Sequence, residues 1–185
     1  PCRWKYRLVE EKRPGEYYPI GVAEGGSYIL NARDLCAIAF LDQVIQAGAS
    51  SLKIEGRAKS AYYVAAVTSA YRRALDLWAE DPDHYHCPPE LLEEVQKVSH
   101  RSYTSGFFFG PPEQGQRLED GGYLRFWDVA AVVEGYDPET GRLLCRQRNK
   151  FSVGDVLEAL TPGGRVLPVP APALFDANGV PIPDT

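Results

Sequence analysis

The chain lacks several patterns that define large classes of proteins. It has 185 residues, no methionine, and no apolar run near the ~18 residues that a membrane-spanning helix requires, so such a helix is excluded. No basic and then apolar leader opens the sequence, so nothing predicts secretion. Because the first residue is Pro1 rather than methionine, we expect the chain to be a piece of a longer protein.

Cysteine is scarce and widely spaced. The four cysteines form no CxxC pair, which excludes a zinc ribbon and a thioredoxin motif; they are Cys2, Cys36, Cys87 and Cys145. They are also too few for the disulfide scaffold of a small secreted protein, so we expect reduced thiols in a cytoplasmic protein. His84, His86 and Cys87 could ligate a metal, but no fourth ligand is near and the Pro- and Asp-rich surroundings favour a surface turn.

The motifs of the common proteases are also missing. The sequence has no GxSxG and no HExxH, and its three histidines are His84, His86 and His100. A thiol mechanism could pair Cys36 with His100, because a nucleophile needs a base within hydrogen-bonding reach, but no spacing singles out that pair. No conventional protease site is visible in the sequence.

The composition that is present predicts a folded, mildly acidic protein. Hydrophobic residues make up 44% and charged residues 24%, with a net charge of −5, which is enough apolar material for a core in one domain or two small ones. The acidic balance argues against strong nonspecific binding to nucleic acid, although a local basic patch can coexist with it. Four cations at even-numbered positions would share one face of a predicted strand and could form such a patch: Arg142, Arg146, Arg148 and Lys150. The other interpretation is alternating charge on the solvent-facing side of a small barrel.

The first half of the sequence alternates strands and helices. Strands are predicted at 4–10 and 51–56, a hairpin at 17–31, and helices at 35–47, from Ser60 to Asp81-Pro82, and from Pro88-Pro89 onward. Asn31 or Asp34 can cap the first of these helices. In the long helix, the inward positions are expected to be Val64, Val67, Tyr71, Leu75 and Trp78. This order is typical of parallel α/β units, but two such units cannot close a sheet, so we expect the end of a larger α/β domain.

The composition changes after His100. A polar, Gly-rich connector covers 111–122, and from Phe126 onward only strands are predicted, with turns at 137–141 and 161–165. Short strands separated by regular turns are typical of a small β-barrel or sandwich. The boundary between the two parts is expected near 115–124.

Several long segments resemble one protein family. The strings PCRWKYRLVEEKRPGEYYPI, YILNARDLC, KIEGRAKSAYYVA, HRSYTSGFFFG and EGYDPETGRLLCRQRNKFSVGDVLEALTPGG are similar, in order, to peptidase family U32, the collagenase-like proteases. The resemblance implies that 1–80 is the end of a TIM-type barrel, that 81–123 is a helix and connector, and that 124–185 is a small all-β barrel like those of elongation factor Tu.

The resemblance also implies a function. The sequence is most similar to the branch that supports hydroxylation of the wobble uridine of tRNA, with prephenate as a co-substrate and an iron–sulfur cluster in related members; other members act on ribosomal RNA. The alternative is a collagenase-like peptidase with a peptide substrate. A second alternative is a non-catalytic module that docks to RNA or to a protein.

Candidate site residues follow from the same resemblance. It implies that Cys36 is a cluster ligand, with the other ligands mostly upstream, whereas the residues alone are equally consistent with a buried thiol. Cys2 is a weaker candidate, since the family has another cysteine just before it. Cys36 follows a predicted strand, at the end where barrel active sites gather.

Charged residues after the strand at 51–56 form the second candidate group. Glu55, Arg57 and Lys59 could orient an anion such as prephenate, because a guanidinium matches a carboxylate; a structural ion pair at the turn is the alternative. Tyr62 and Tyr63 begin the next helix, where one is expected to pack and the other to face the site.

The motif HRxYxxGF supplies a third group. His100 could act as an acid or base near neutral pH, with Arg101 and Tyr103 as substrate-binding residues. The aromatic run 107–109 could stack on RNA bases, but three consecutive phenylalanines more often anchor a connector by packing.

Overall fold

The computed structural model describes residues 6–23, 26–28, 32–111 and 122–185. Cys2, the start of the first predicted strand, the Asn31 cap and most of the predicted connector lie outside these residues. The first part contains short strands at β1 (Arg7–Leu8), β2 (Tyr18–Pro19), β3 (Gly21–Ala23), β4 (Gly26–Tyr28), β5 (Asp34–Leu35) and β6 (Tyr103–Thr104). Between β5 and β6 lie a 3-10 helix (Ile38–Phe40), α1 (Leu41–Gln46), α2 (Ala61–Glu80) and α3 (Pro89–Gln96).

The long helix α2 begins where the sequence predicts. Its N-cap, Ser60, accepts a hydrogen bond from the Tyr63 amide at 3.1 Å, which satisfies one of the free amides of the first turn. Helix α3 begins with Pro89, whose missing amide hydrogen costs nothing at a first helical position. None of the helices in the described ranges is both long and apolar enough to cross a membrane.

The core of this part lies where α2 packs on α3 and α1. Its fully buried side chains are Ile38, Leu41, Ala70, Ala74, Leu91 and Val95. On α2 the buried positions are therefore mainly alanines, spaced four residues apart, since Ala66 is also 2% exposed. Small side chains at this spacing let a neighbouring helix approach closely, so bulky residues of α3 fill the space.

Two predictions for this region are wrong. Val64 was placed inward but is 44% exposed, because the helix turns its alanine positions toward α3. Residues 51–56 form no strand in the described structure, because no neighbouring segment pairs with their backbone. A β-strand requires backbone hydrogen bonds to a neighbouring strand, and an apolar sequence alone does not provide that neighbour.

The strands β5 and β6 form a parallel pair across the helical segment. Asp34 is opposite Tyr103 and Leu35 is opposite Thr104. The pairing is extended at both ends, since the Asp34 amide donates to the Ser102 carbonyl and the Cys36 amide to the Thr104 carbonyl. It brings residues before β6 next to residues of β5, and this juxtaposition builds the site described below.

The second part consists of antiparallel hairpins. These are β7 (Ala131–Asp137) with β8 (Arg142–Gln147), β9 (Val156–Leu160) with β10 (Val166–Pro170), and β11 (Leu174–Phe175) with β12 (Pro181–Ile182). The segments predicted as strands after Phe126 thus form strands, with turns at the predicted places. A TIM-type barrel and a closed β-barrel stay predictions.

The hairpin β9–β10 packs on the helical part. Leu160 packs against the cluster formed by Ala66, Val67 and Val98. At the hairpin turn, a Cβ added to Gly164 would lie 2.9 Å from the Cβ of Ser69, so the turn backbone sits directly on α2.

A buried lysine connects the same two parts. The Lys97 ammonium, at the end of α3, lies 2.6 Å from Glu94 and 2.5 Å from Glu158 of β9, and its side chain is 13% exposed. It also lies 4.9 Å from the Trp127 ring centre. Burial lowers the pKa of Lys97, but the hydrogen bonds that its ammonium donates to the two carboxylates, together with their charges, outweigh burial, so the pKa is raised.

Candidate functional site

Asp34 is the centre of a polar cluster at the start of the parallel strand pair. Its Oδ2 accepts a hydrogen bond from the Arg101 backbone amide at 2.9 Å, and the Lys59 ammonium lies 3.9 Å away. The carboxylate is held by a backbone amide of the loop before β6, so its position depends on the pairing of β5 with β6. The three residues come from separate segments that the fold brings together.

Lys59 is held between two aromatic rings. Its Nζ donates to the Ser99 carbonyl at 2.9 Å and lies 4.1 Å from the ring centre of Tyr123 and 5.1 Å from that of Tyr63. The side chain is 17% exposed, so the cation is largely withdrawn from water. Contacts with ring faces partly replace its lost hydration.

Arg101 approaches the same tyrosine. Its guanidinium carbon lies 5.3 Å from the Tyr123 ring centre, and Nη1 donates to the Ala32 carbonyl at 3.2 Å. Its Nε is buried and has no hydrogen-bond acceptor among the described residues. Among the residues that the structure describes, the cluster therefore contains two cations and one carboxylate.

His100 is buried beside this cluster, with 4% of its surface exposed. Its Nδ1 lies 2.6 Å from the Arg101 carbonyl oxygen, which can only accept, so we assign the proton of the neutral ring to Nδ1. Nε2 then carries a lone pair, and it has no partner among the described residues. The ring stacks on Tyr103 with centres 4.1 Å apart. The arrangement fixes the tautomer that a general base requires.

Cys36 lies at the opposite, carboxyl end of the β5–β6 pair. Its nearest polar side chain is Tyr71, whose hydroxyl accepts from the Ala37 amide at 2.9 Å and lies 3.9 Å from the Cys36 Sγ. Burial, and then the nearby Cys36 thiol, raise the pKa of Tyr71. Burial also raises the pKa of Tyr103, whose hydroxyl donates to the Val95 carbonyl at 2.5 Å. Both phenols are therefore neutral: Tyr103 donates to the Val95 carbonyl, and Tyr71 accepts from the Ala37 amide.

Metal ligands do not converge within the described part of the chain. No three side chains among its histidines, cysteines, aspartates and glutamates lie close enough to hold a metal ion. Cys36 and Cys87 contact the same core cluster, and both are free thiols. The described residues alone thus offer Cys36 as one thiolate and do not fit a complete iron–sulfur site. The predicted turn at 84–87 is consistent with its geometry, since His84 is exposed and pairs with Asp81.

The predicted charged triplet is split by the structure. Glu55 and Arg57 are exposed, and the Glu55 carboxylate accepts from the Arg57 backbone amide at 2.8 Å while lying 3.9 Å from Lys53. Among the described residues, the Arg57 guanidinium forms no ion pair, whereas Lys59 joins the cluster at Asp34. Glu55 therefore shapes the turn before α2, and the cationic character of the site comes from Lys59 and Arg101.

The tyrosines at the start of α2 differ in their surroundings. Tyr63 contacts Lys59, as noted above, whereas Tyr62 packs against the core beside Val98. Burial, and then the charge of Glu94, raise the pKa of Tyr62. The tyrosine beside Lys59 is thus Tyr63, while a substrate-binding role for Tyr62, one of the two candidates that the sequence offers, stays a prediction.

The phenylalanine run has a mixed character. Phe108 and Phe109 contact the ring of Phe40 at centre distances of 5.3 and 4.9 Å, so they anchor the loop. All three rings are nevertheless more than half exposed, with Phe107 at 80%. The buried ring of Phe40 thus fixes the loop, and the remaining surfaces of the three phenylalanines at 107–109 face solvent.

The predicted basic stripe is largely paired. Arg146 lies 3.0 Å from Glu134, Lys150 lies 2.8 Å from Asp184, and the Arg142 guanidinium stacks on Phe175 at 3.6 Å. Opposite charges on neighbouring strands neutralise this face, so it offers a phosphate backbone little net attraction. The alternating-charge interpretation describes it better.

Two important site residues were not found from the sequence. Tyr123 lies at the end of the predicted connector, and no spacing links it to Lys59 or Arg101. Tyr71 was predicted as a core residue, because its helical position matches an inward face. Asp34 was noted only as a possible helix cap, although its place before Cys36 at a predicted strand could have suggested a site.

The described structure is an α/β segment with a partly buried, cation-rich site, followed by a series of β-hairpins. The chain belongs to peptidase family U32: the family's sequence model matches residues 1–118, and that of the U32 C-terminal domain matches residues 125–185. This confirms the resemblance seen in the sequence.

Named relatives fall into two groups. The chain is 34% identical over 162 residues to tRNA hydroxylation protein P1 of Bacillus subtilis, covering 87% of this chain and 38% of that protein. It is 38% identical over 162 residues to tRNA hydroxylation protein P of Escherichia coli, covering 87% and 35%. A collagenase of Porphyromonas gingivalis is 29% identical over 153 residues, covering 77% and 36%.

The chain thus spans little more than a third of the length of these relatives. No solved structure matches it.

Proposed function

We propose that the protein takes part in hydroxylation of tRNA at the wobble uridine. The proposal is supported by the relatives named for tRNA hydroxylation, which align with 87% of this chain, including the whole cluster around Asp34. The observation that carries it is that cluster: a partly buried pair of cations against a tyrosine ring, with a buried histidine beside it. These are groups that bind an anionic co-substrate and a nucleobase, and they form no nucleophile–base pair.

Within this proposal, the residues have separate tasks. Lys59 and Arg101 hold the negative charge of prephenate as co-substrate, and Asp34 fixes the Arg101 backbone and balances one cation. His100, with Nε2 unprotonated, accepts a proton or a hydrogen bond. Cys36 would supply one thiolate ligand to an iron–sulfur cluster, which the described residues alone do not complete.

The experiment is mass spectrometry of tRNA nucleosides from a host in which the gene is deleted. Loss of the 5-hydroxyuridine-type nucleoside, restored by the wild-type gene, is the expected result. Cys36→Ala and Arg101→Met should fail to restore it while accumulating to wild-type levels. Lys53→Ala serves as the matched control, because it removes an exposed cation whose ion pair in the described structure is with Glu55 at the turn before α2, and it should restore the nucleoside. Unchanged tRNA in the deletion strain would refute the proposal.

A peptidase is the second candidate, favoured by the collagenase among the relatives. The described geometry offers it less: the Cys36 thiol faces the Tyr71 hydroxyl, while His100 bonds to a carbonyl and stacks on Tyr103. A cysteine nucleophile requires a base at hydrogen-bonding distance. If tRNA is unchanged in the deletion strain, cleavage of collagen-derived peptides by the purified protein, abolished by Cys36→Ala, would support this candidate.

A further inference from the structure

A cavity of about 310 Å³ lies where the β9–β10 hairpin meets the helical part. Helices α2 and α3 form one side of it, and the hairpin turn with the start of β10 forms the other. The side chains around it are two cations, two carboxylates and two aliphatic groups: Arg73, Arg165, Glu90, Glu94, Val166 and Leu167. The volume is at the lower end of the range for small-molecule sites, which often lie between packed parts of a protein.

The hairpin turn is held in shape by its own hydrogen bonds. The Arg165 carbonyl accepts from both the amide and the hydroxyl of Thr161, each at 2.9 Å, and the Gly164 amide donates to the Thr161 carbonyl at 3.0 Å. Val166 then pairs with Leu160 at the end of the β9–β10 ladder. This wall of the cavity is therefore formed before any ligand arrives, which lowers the entropy cost of binding.

The two arginines reach the cavity from different segments. Arg73 of α2 is half-buried, and its Nη1 donates to the Gly164 carbonyl at 3.4 Å, which uses one of the five donors of a guanidinium. Arg165 extends from the turn and is exposed. In the described structure, neither guanidinium forms an ion pair with the glutamates that line the same cavity. A guanidinium matches a carboxylate with two parallel hydrogen bonds, so this side of the cavity is suited to a carboxylate.

The two glutamates lie one turn apart on α3 and differ in their surroundings. The Glu94 carboxylate is 12% exposed and lies 2.6 Å from the Lys97 ammonium, which balances its charge. Glu90 is exposed and is the carboxylate that remains available to a cationic group. Its negative charge disfavours a phosphate chain such as an RNA backbone. A cavity with both signs of charge instead favours a small ligand that also carries both.

We infer that this cavity binds a free α-amino acid with an apolar side chain. The carboxylate of the ligand binds Arg73 and Arg165, its ammonium binds Glu90, and its side chain lies against the aliphatic wall formed by Val166 and Leu167. The ligand contacts α2, α3 and the hairpin at once, so binding holds the hairpin on the helices and stabilises the folded chain. The site shares no residue with the cluster around Asp34, and the inference does not depend on the proposed function.

The test is a calorimetric titration of the purified protein with L-phenylalanine and L-leucine. We expect saturable binding of at least one of them. Two analogues of phenylalanine separate its charges, because 3-phenylpropionate lacks the ammonium and phenethylamine lacks the carboxylate. Each should bind about tenfold or more weakly than L-phenylalanine, since a hydrogen bond to a charged group is typically worth that factor.

Substitutions assign each charge of the ligand to its partner. Arg165→Met and Glu90→Gln should each weaken the binding of the amino acid about tenfold or more. In Glu90→Gln, the preference for L-phenylalanine over 3-phenylpropionate should also disappear, because the group that recognises the ammonium is gone. If Arg165→Met does not fold, Arg165→Lys takes its place and should also weaken binding, since lysine keeps the charge but lacks the planar fork.

Neighbouring residues supply matched controls. Arg72 precedes Arg73 on α2, is exposed and pairs with Asp76, and Glu93 precedes Glu94 on α3 and is exposed. Arg72→Met and Glu93→Gln remove the same charges outside the cavity and should leave the affinity unchanged. Urea denaturation gives a second measurement, because the amino acid should raise the midpoint of the wild type and of both controls but not that of Arg165→Met.

Three outcomes overturn the inference. The first is that neither amino acid binds, and the second is that 3-phenylpropionate binds the wild type as tightly as L-phenylalanine, which would show that the ammonium is not recognised. The third is unchanged affinity in the folded Arg165 and Glu90 variants, which would place the amino acid elsewhere. None of these results affects the proposed function, which is judged by the tRNA nucleosides.

Discussion

Replacing Gly164 by alanine tests whether the β9–β10 turn sits on helix α2. The residue has φ +78°, a conformation that costs a non-glycine residue about 1–2 kcal/mol. The new Cβ would also lie 2.9 Å from the Cβ of Ser69 and 3.3 Å from the Cδ of Arg73, whereas carbon atoms prefer about 3.5–4.0 Å. Relieving this overlap requires the turn to move off the helix, and such overpacking costs about 1–3 kcal/mol.

Gly163 supplies a matched control. It has φ +86°, but no atom lies within 4 Å of an added Cβ. Gly163→Ala should therefore lose only the conformational term, and Gly164→Ala should be less stable than Gly163→Ala by about 1–3 kcal/mol. Urea denaturation followed by tryptophan fluorescence measures both free energies of unfolding. In a Ser69→Gly background, Gly164→Ala should cost less than it does in the wild type, because the Ser69 Cβ that the new methyl group meets is absent; the Ser69→Gly single variant is the reference, since glycine inside α2 itself costs about 0.5–1 kcal/mol.

The reasoning fails if the two alanine variants are equally stable. In that case the turn would be free of the helix, and the contact between the helical segment and the hairpins could not be as described. Equal stability with a changed slope of the urea dependence would also count against it, since the slope reports the surface exposed on unfolding.

Three further predictions concern stability. Lys97→Met should lower the free energy of unfolding in urea by about 2–4 kcal/mol, because it leaves two carboxylates unpaired, one of them largely buried. A loss below about 0.5 kcal/mol, which is typical of a surface ion pair, would contradict this. Burial raises the pKa of Tyr71 and Tyr103, so their neutral forms stabilise the fold below about pH 10, and this contribution should be lost as pH rises further. Absorbance at the phenolate band should show a group of tyrosines, Tyr71 and Tyr103 among them, that ionise at higher pH in the folded wild type than after unfolding. Trp78→Ala should cost about 2 kcal/mol, less than for full burial, because the side chain is half-buried, and an unchanged midpoint would place it outside the core.

Local patterns predicted α2 and the start of α3 well, whereas the helix expected at 35–47 is shorter: Leu35 lies in β5, a 3-10 helix covers Ile38–Phe40, and α1 covers Leu41–Gln46. The Ser60 cap and the three-to-four spacing give the bounds of α2, because capping and helical periodicity depend on residues within a few positions of one another. The inward face was harder to predict, because large apolar residues suggested Val64, whereas close packing against α3 selected the alanines at 66, 70 and 74. Which face of α2 is buried depends on the helix that packs against it, and the spacing of apolar residues within α2 does not identify that helix.

The site was predicted only in part for a similar reason. Lys59, His100 and Arg101 were found because they lie in distinctive motifs, and the structure brings them together. Tyr123 could not be found, since its relation to Lys59 exists only after the chain has folded. The strand expected at 51–56 illustrates the same limit, because pairing requires a second segment.

The hydrogen bond from Arg101 to Asp34 also has a kinetic meaning. The two residues are 67 positions apart, and the chain between them contains all three helices of this part. Closing so long a loop costs entropy that is repaid only when the ends meet, whereas α2 and α3 can pair early through nearby contacts. We therefore expect the helices to assemble first and the cluster around Asp34 to form in the final step of folding. A nascent or partly unfolded chain would then contain its helices but lack this cluster, so that the cluster marks the completed molecule.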